Sequence, residues 1–239
     1  MTAAAIRLEG VAKAFTLHGR GGVVLPVVRD VGFTVAPGEC VVLGGPSGSG
    51  KSSVLKMIFG TYRCDAGRIL VSDGPDIVDV AVADPRRILR LRRTTMSYVS
   101  QFLRVIPRVP ARDLVAEPLL AAGRSRAEAE AEAGRLLARL GLPERLWALP
   151  PATFSGGEQQ RVNIARGLAA PRPVLLLDEP TASLDARNRA AVVELVRERR
   201  AAGAAILGIF HDADVRDAVA DRIVDVTRFT STAAARDAA

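Results

Sequence analysis

The run Gly45-Pro46-Ser47-Gly48-Ser49-Gly50-Lys51-Ser52, followed by Ser53, has the spacing G-x-x-x-x-G-K-[ST]. Glycines at these positions let the backbone curl so that successive N–H groups face phosphate oxygens. A helix opening at Lys51 adds the positive end of its dipole. Lys51 then supplies a mobile cation for the β- and γ-phosphates, and the Ser52 hydroxyl suits Mg²⁺. Of the 33 basic residues only Lys13, Lys51 and Lys56 are lysine, which marks out a lysine inside a glycine loop. A plain glycine-rich turn is the competing reading. The apolar run 40–43 before the loop and the helical pattern 54–59 after it favour the phosphate site. Dinucleotide binding is excluded because the third glycine of G-x-G-x-x-G is absent.

A second constellation follows at Val174-Leu175-Leu176-Leu177-Asp178-Glu179. An acid at the carboxyl end of a buried parallel strand lies beside such a loop, so Asp178 is a candidate to hold Mg²⁺. Glu179, one residue on, is a candidate to orient or deprotonate a water attacking the γ-phosphate. Taken alone, Asp-Glu-Pro would read as a helix cap; beside the loop, the catalytic reading prevails.

The elements that must position these groups are legible in part. Short β-like pieces at 6–8, 23–28 and 33–35 are separated by glycine turns. A helix is expected over 125–140, opened by the capping box Ser125/Glu128 and stopped by Gly141 and Pro143. A second opens at Ser155. The run 188–200 reads as helix, and 204–210 as a buried strand ending at His211. Strands alternating with helices imply an α/β doubly wound core, interrupted by a helical insertion over about 102–165. One domain over 1–230 and a frayed tail over 231–239 are expected.

Around these motifs the chain resembles the ATP-binding cassette ATPases along most of its length. Phe154-Ser155-Gly156-Gly157-Glu158-Gln159-Gln160-Arg161 resembles the family's signature segment, Gln101 the Q-loop, Ser183-Leu184-Asp185 the D-loop, His211 the switch histidine, and Phe15 the aromatic that stacks on adenine. Phe154 and Glu158 stand where the commonest pattern has Leu and Gln. Ser155, Gly156 and Gly157, which carry the phosphate chemistry, remain. The resemblance implies a P-loop NTPase with a RecA-like core, an N-terminal antiparallel β subdomain and an inserted α-helical subdomain. It implies ATP and Mg²⁺, with Gln101 joining Ser52 and Asp178 at the metal. It also implies a head-to-tail dimer, with itself or a paralogue, in which Ser155, Gly156, Gly157 and Glu158 meet the partner's ATP.

Stretches at 99–108, 142–147, 153–167 and 208–212 further resemble the PhnL group of the bacterial carbon–phosphorus lyase system. That resemblance implies a cytoplasmic ATPase of phosphonate breakdown, associated with soluble lyase subunits and with formation of ribose 1-methylphosphonate 5-triphosphate from ATP and methylphosphonate. No residue stands out as a glycosyl-transfer catalyst. The alternative is the ATPase subunit of a membrane transporter of the lipoprotein-release or importer type, in which the segment after Gln101 grips a cytoplasmic helix of the permease. A third possibility is a nucleotide-gated binding protein with incidental turnover.

Composition narrows the field further. In 239 residues, 49% apolar and 25% charged, no apolar run approaches a membrane span. The first residues lack the basic and apolar regions of a secretion signal, so a cytoplasmic protein with no direct membrane insertion is expected. Cys40 and Cys64 are too few for a disulfide framework. The net charge of +7 is mostly arginine. Its densest run, 84–93, has no interleaved aromatics, so no nucleic-acid partner is expected and the run reads as a solvated helix face or a subunit contact. His18 reads as a residue of an exposed glycine-rich loop.

Overall fold

A computed structural model describes residues 4–17, 19, 21–103 and 106–229. The expected tail 231–239 and His18 lie outside the described residues. Two sheets share the molecule. Strands β1 (Ile6–Leu17), β2 (Val23–Val35), β4 (Ala66–Asp73) and β5 (Asp76–Asp79) form an antiparallel sheet in the order β2-β1-β4-β5. Strands β3 (Cys40–Gly44), β6 (Met96–Val99), β7 (Val174–Asp178), β8 (Ala205–Ile209) and β9 (Arg222–Asp225) form a parallel sheet in the order β6-β7-β8-β3-β9.

Every residue of β7 and β8 is buried, as parallel strands covered on both faces must be. Side chains alternate between two separate cores. Val174 and Leu176 of β7, Val41 and Leu43 of β3, and Leu207 of β8 pack with the antiparallel sheet and α1 (Lys51–Ile58). Leu175 and Leu177, Cys40 and Val42, and Ile206 pack on the opposite face. There they meet helices α3 (Ala111–Ala121), α4 (Arg126–Arg139), α5 (Gly156–Ala169), α6 (Ala186–Ala201) and α7 (Ala213–Val219). The parallel sheet is thus the partition between two apolar layers, and its carboxyl ends are where a site can open.

Helices α3, α4 and α5 intervene between β6 and β7 of that sheet. The expected capping box forms, Ser125 with Glu128 opening α4, and the helix expected at Ser155, α5, is opened by a second one, Ser155 with Glu158. The basic run lies in α2 (Pro85–Thr94), capped by Asp84. It is less solvated than expected, because Arg87 pairs with Asp73 and Asp76 while Arg92 donates to the carbonyl of Phe59. The N-terminal strands run longer than the pieces at 6–8, 23–28 and 33–35, since register shifts after Leu8 and around Val11 and Lys13 let pairing continue past irregular sequence.

Candidate nucleotide site

Between β3 and α1 the chain forms the expected loop. Gly45 has φ 124 and Gly50 φ 92, both in the left-handed region. A Cβ on Gly50 would lie 2.8 Å from Val28 Cγ1 and 2.9 Å from Val27 Cγ1, so β2 presses on the loop where α1 begins. Gly50 is the N-cap of α1 with no side-chain cap, which leaves the first N–H groups of the helix open to an anion. Gly45, Pro46, Ser47 and Gly48 are exposed, Ser49 and Lys51 are buried, and Ser52 and Ser53 are half-buried at the start of α1. Lys51 Nζ donates to the carbonyls of Gly45 (2.8 Å) and Pro46 (2.7 Å), spanning the loop. Burial holds its ammonium below the usual lysine range, while Glu179 and Asp178 pull the other way.

Strand β7 delivers Asp178 to this loop. The Ser52 hydroxyl donates to Asp178 Oδ1 at 2.8 Å, and the Tyr98 hydroxyl donates to Oδ2 at 2.6 Å. No group of three or more His, Cys, Asp or Glu among the described residues could hold a metal by itself. A hydroxyl beside one carboxylate, next to a loop of open amides, instead suits a hard cation that brings phosphate oxygens of its own. The residues present therefore fit Mg²⁺.

Glu179 follows with φ 52, unusual for a residue with a side chain, and its N–H donates to the carbonyl of Ile209 at 3.1 Å. That bond ties the end of β7 to the end of β8, so Glu179 and His211 converge. His211 Nε2 lies 2.7 Å from Glu179 Oε1, and Gln101 Nε2 donates to Oε2 at 3.1 Å. The carboxylate of Glu179 is thus gripped from both sides. Gln101, expected at the metal with Ser52 and Asp178, is thus hydrogen-bonded to Glu179, the neighbour of Asp178.

The remaining sequence candidates lie elsewhere. Phe15, on β1, meets the Tyr62 ring edge-on at 5.3 Å with Lys13 Nζ 5.2 Å from its own centroid. At the N-terminus of α5 the Ser155 hydroxyl and N–H both donate to Glu158, each at 2.8 Å. These bonds hold the Glu158 carboxyl below the usual carboxylate range. A Cβ on Gly157 would lie 3.1 Å from the carbonyl oxygen of Ser183, so this turn adjoins Ser183-Leu184-Asp185. There Leu184 is buried, Ser183 is exposed, and Asp185 caps α6 through Asn188 N–H at 2.8 Å. Among the described residues no hydrogen bond or ion pair joins the Ser155 turn to the phosphate loop.

Sequence reasoning missed several residues that connect these parts. Tyr98 is the first. Asn163 on α5 donates to the carbonyl of Ser100 at 2.6 Å, beside Gln101, and Gln160 donates to the carbonyl of Pro180 at 3.2 Å, beside Glu179. Both amides are buried polar groups in a helix, and the only hint in the sequence is their place a turn or two after the Ser155 capping box. A groove of about 880 Å³ runs past this region, lined among others by Phe59, Arg92, Gln101, Phe102, Arg166 and Asp178.

Comparison with known proteins bears on this geometry. The family model described as ABC transporter matches residues 28–182. The chain is 47% identical over 170 residues to the lipoprotein-releasing system ATP-binding protein LolD 2 of Caulobacter vibrioides, covering 71% of this chain and 72% of that protein. It is 43% identical over 201 residues to LolD of Maricaulis maris, covering 84% and 85%. Identity to the macrolide export ATP-binding/permease protein MacB of Marinobacter nauticus is 37% over 210 residues, which is 88% of this chain but 31% of that protein. The chain therefore spans about a third of such macrolide-export relatives. Among solved structures, a dimeric post-hydrolysis ATP-binding cassette bound to ADP and Pi superposes with a TM-score of 0.82 at 27% identity, covering 93% of this chain and 95% of that one. The fold is that of an ABC ATPase cassette. These relatives are named for lipoprotein release and macrolide export; none of them is named PhnL.

Proposed function

We propose that this chain, which belongs to the ABC transporter family of ATPases, hydrolyses ATP as one half of a head-to-tail pair and drives a membrane permease from the cytoplasmic side. The observation that carries the reading is the convergence at Glu179. One carboxylate bridges His211 and Gln101 while its neighbour Asp178 is bonded to Ser52 of the phosphate loop. The amides of Gly45, Ser47, Gly48, Ser49 and Gly50 cradle the phosphates, with Pro46 shaping the loop and Ser53 in the first turn of α1 behind them, and Lys51 leaves its loop carbonyls for the β- and γ-phosphates. Phe15 offers its face to adenine. Ser52, Asp178 and Gln101 would hold Mg²⁺, which would neutralise phosphate charge, Gln101 giving up its bond to Glu179 to do so. Glu179 accepts the proton of the attacking water, and His211 steadies that carboxylate. Ser155, Gly156, Gly157 and Glu158, with the neighbouring Ser183, Leu184 and Asp185, meet the nucleotide of the other copy.

What supports a permease as the driven partner is the identity to the LolD and MacB proteins, together with the groove. Its wall carries Gln101, which touches Glu179, and Phe102, a residue 72% exposed. A helix seated there acts on the catalytic carboxylate through one side chain. The carbon–phosphorus lyase reading stands second, favoured by the 142–147 and 208–212 stretches, which nucleotide chemistry does not dictate. In that reading the same ATPase remodels soluble subunits rather than a permease.

One experiment separates them. A tagged Glu179→Gln form, trapped with ATP, is used as bait against both solubilised membranes and the soluble fraction of phosphonate-grown cells. Recovery of an integral-membrane permease is the expected result. Recovery of soluble lyase subunits instead transfers the assignment to the second reading. Wild-type protein that binds ATP but never hydrolyses it, with either partner present, overturns both.

A further inference from the structure

We propose that Tyr98 is a positioning residue for the carboxylate of Asp178, setting the affinity of the site for its divalent cation. The proposal rests on the reading above that Asp178 faces the metal. Asp178 is 3% exposed, so both of its oxygens need partners inside the protein. One accepts from Ser52, in the first turn of α1; the other accepts from Tyr98 at 2.6 Å. That length is typical of a hydroxyl bonded to an ionised carboxylate.

The hydroxyl is itself held from behind. Tyr98 lies on β6, opposite Leu176 of β7, which sets the height of its ring relative to Asp178. The ring stacks on Phe59 at 5.0 Å and 24°. Phe59 closes α1, carries the Arg92 guanidinium 4.5 Å from its centroid, and accepts Arg92 Nε at its carbonyl, 2.9 Å away. A carboxylate with one oxygen pinned by so braced a donor loses its torsional freedom and keeps the other oxygen turned toward Ser52. Groups that orient a metal-holding side chain in this way typically carry about 10–100-fold in metal affinity. Arg92, Phe59 and Tyr98 also line the groove, so an occupant there touches the brace as well as Gln101.

The test uses Tyr98→Phe in the full chain, which keeps the ring and its stacking and removes only the hydroxyl. Mn²⁺ binding is titrated by electron paramagnetic resonance with a non-hydrolysable ATP analogue, alongside Asp178→Asn, nucleotide binding in EDTA and a thermal melt. The expected result is Mn²⁺ affinity lower by about tenfold in Tyr98→Phe, with metal-free nucleotide binding and fold unchanged. Mn²⁺ affinity within twofold of wild type in Tyr98→Phe, with Asp178→Asn strongly impaired, overturns the positioning role and leaves the nucleotide site standing. Unchanged affinity in Asp178→Asn as well would remove the premise itself.

Discussion

Glu179 shows how much a single residue is asked to hold. Its backbone sits at φ 52, which costs a side-chain-bearing residue about 1–3 kcal/mol. The bond from its N–H to Ile209 helps to offset that cost. The twist turns the carboxylate toward His211 and Gln101, where a straight continuation of β7 would send it elsewhere. Around it the polar groups satisfy one another: Lys51 holds loop carbonyls, and Ser52 and Tyr98 hold Asp178. Glu179→Gln keeps the size of the side chain, replaces one acceptor oxygen with a donor amide and removes its basicity. Steady-state hydrolysis by this variant should fall by about 10²–10⁴, while equilibrium ATP binding stays near wild type. Unchanged turnover would move the base to another residue.

At the scale of elements, the tightest seam is between α5 and β6. A Cβ on Gly167 would lie 2.3 Å from Val99 Cγ2, so only glycine lets this helix lie against the strand that carries Tyr98 and leads to Gln101. Gly167→Ala should destabilise the protein by about 1–3 kcal/mol through overpacking, despite alanine's better helix propensity. That corresponds to a fall of several degrees, about 2–4 °C per kcal/mol, in the thermal midpoint; a raised midpoint would show that the seam is loose. The same seam explains what could be read beforehand. Elements with a strong one-dimensional signal were legible: the uniformly apolar β7 and β8, the glycine loop before α1, the Ser125/Glu128 capping box and the helix start at Ser155. Helix α3 was not, because Pro118 lies inside it and breaks the helical pattern. Strands β4, β5, β6 and β9 were missed too, being short or exposed on one side and specified by neighbours distant in sequence. In the site, residues belonging to a spaced motif could be found. The contacts of Tyr98, Gln160 and Asn163 could not, since their partners are backbone or carboxylate groups brought near only by the packing of α5 and β6 on β7.

At the scale of the whole molecule, the Ser155 turn lies apart from the phosphate loop of its own chain. The N-terminus of α5 favours an anion, and in the single chain Glu158 supplies it by accepting from the Ser155 hydroxyl and N–H. Glu158 stays charged well into the acid range because those bonds lower its proton affinity. The turn is exposed and adjoins the Ser183 loop, yet makes no described hydrogen bond to the phosphate loop of its own chain. A surface poised for phosphate but apart from the local phosphate loop makes sense if a second copy brings the nucleotide. Ser155→Arg places a long cation where that nucleotide would enter. In a Glu179→Gln background, sedimentation should show ATP-dependent pairing lost, while the nucleotide affinity of the monomer changes by less than about twofold. Losing the cap also costs about 1 kcal/mol of helix stability, so Ser155→Ala is the control: it removes the hydroxyl without obstructing the turn, and should pair weakly rather than not at all. If Ser155→Arg instead abolished ATP binding by the isolated chain, the turn would be serving its own phosphate loop, and the head-to-tail arrangement would be wrong.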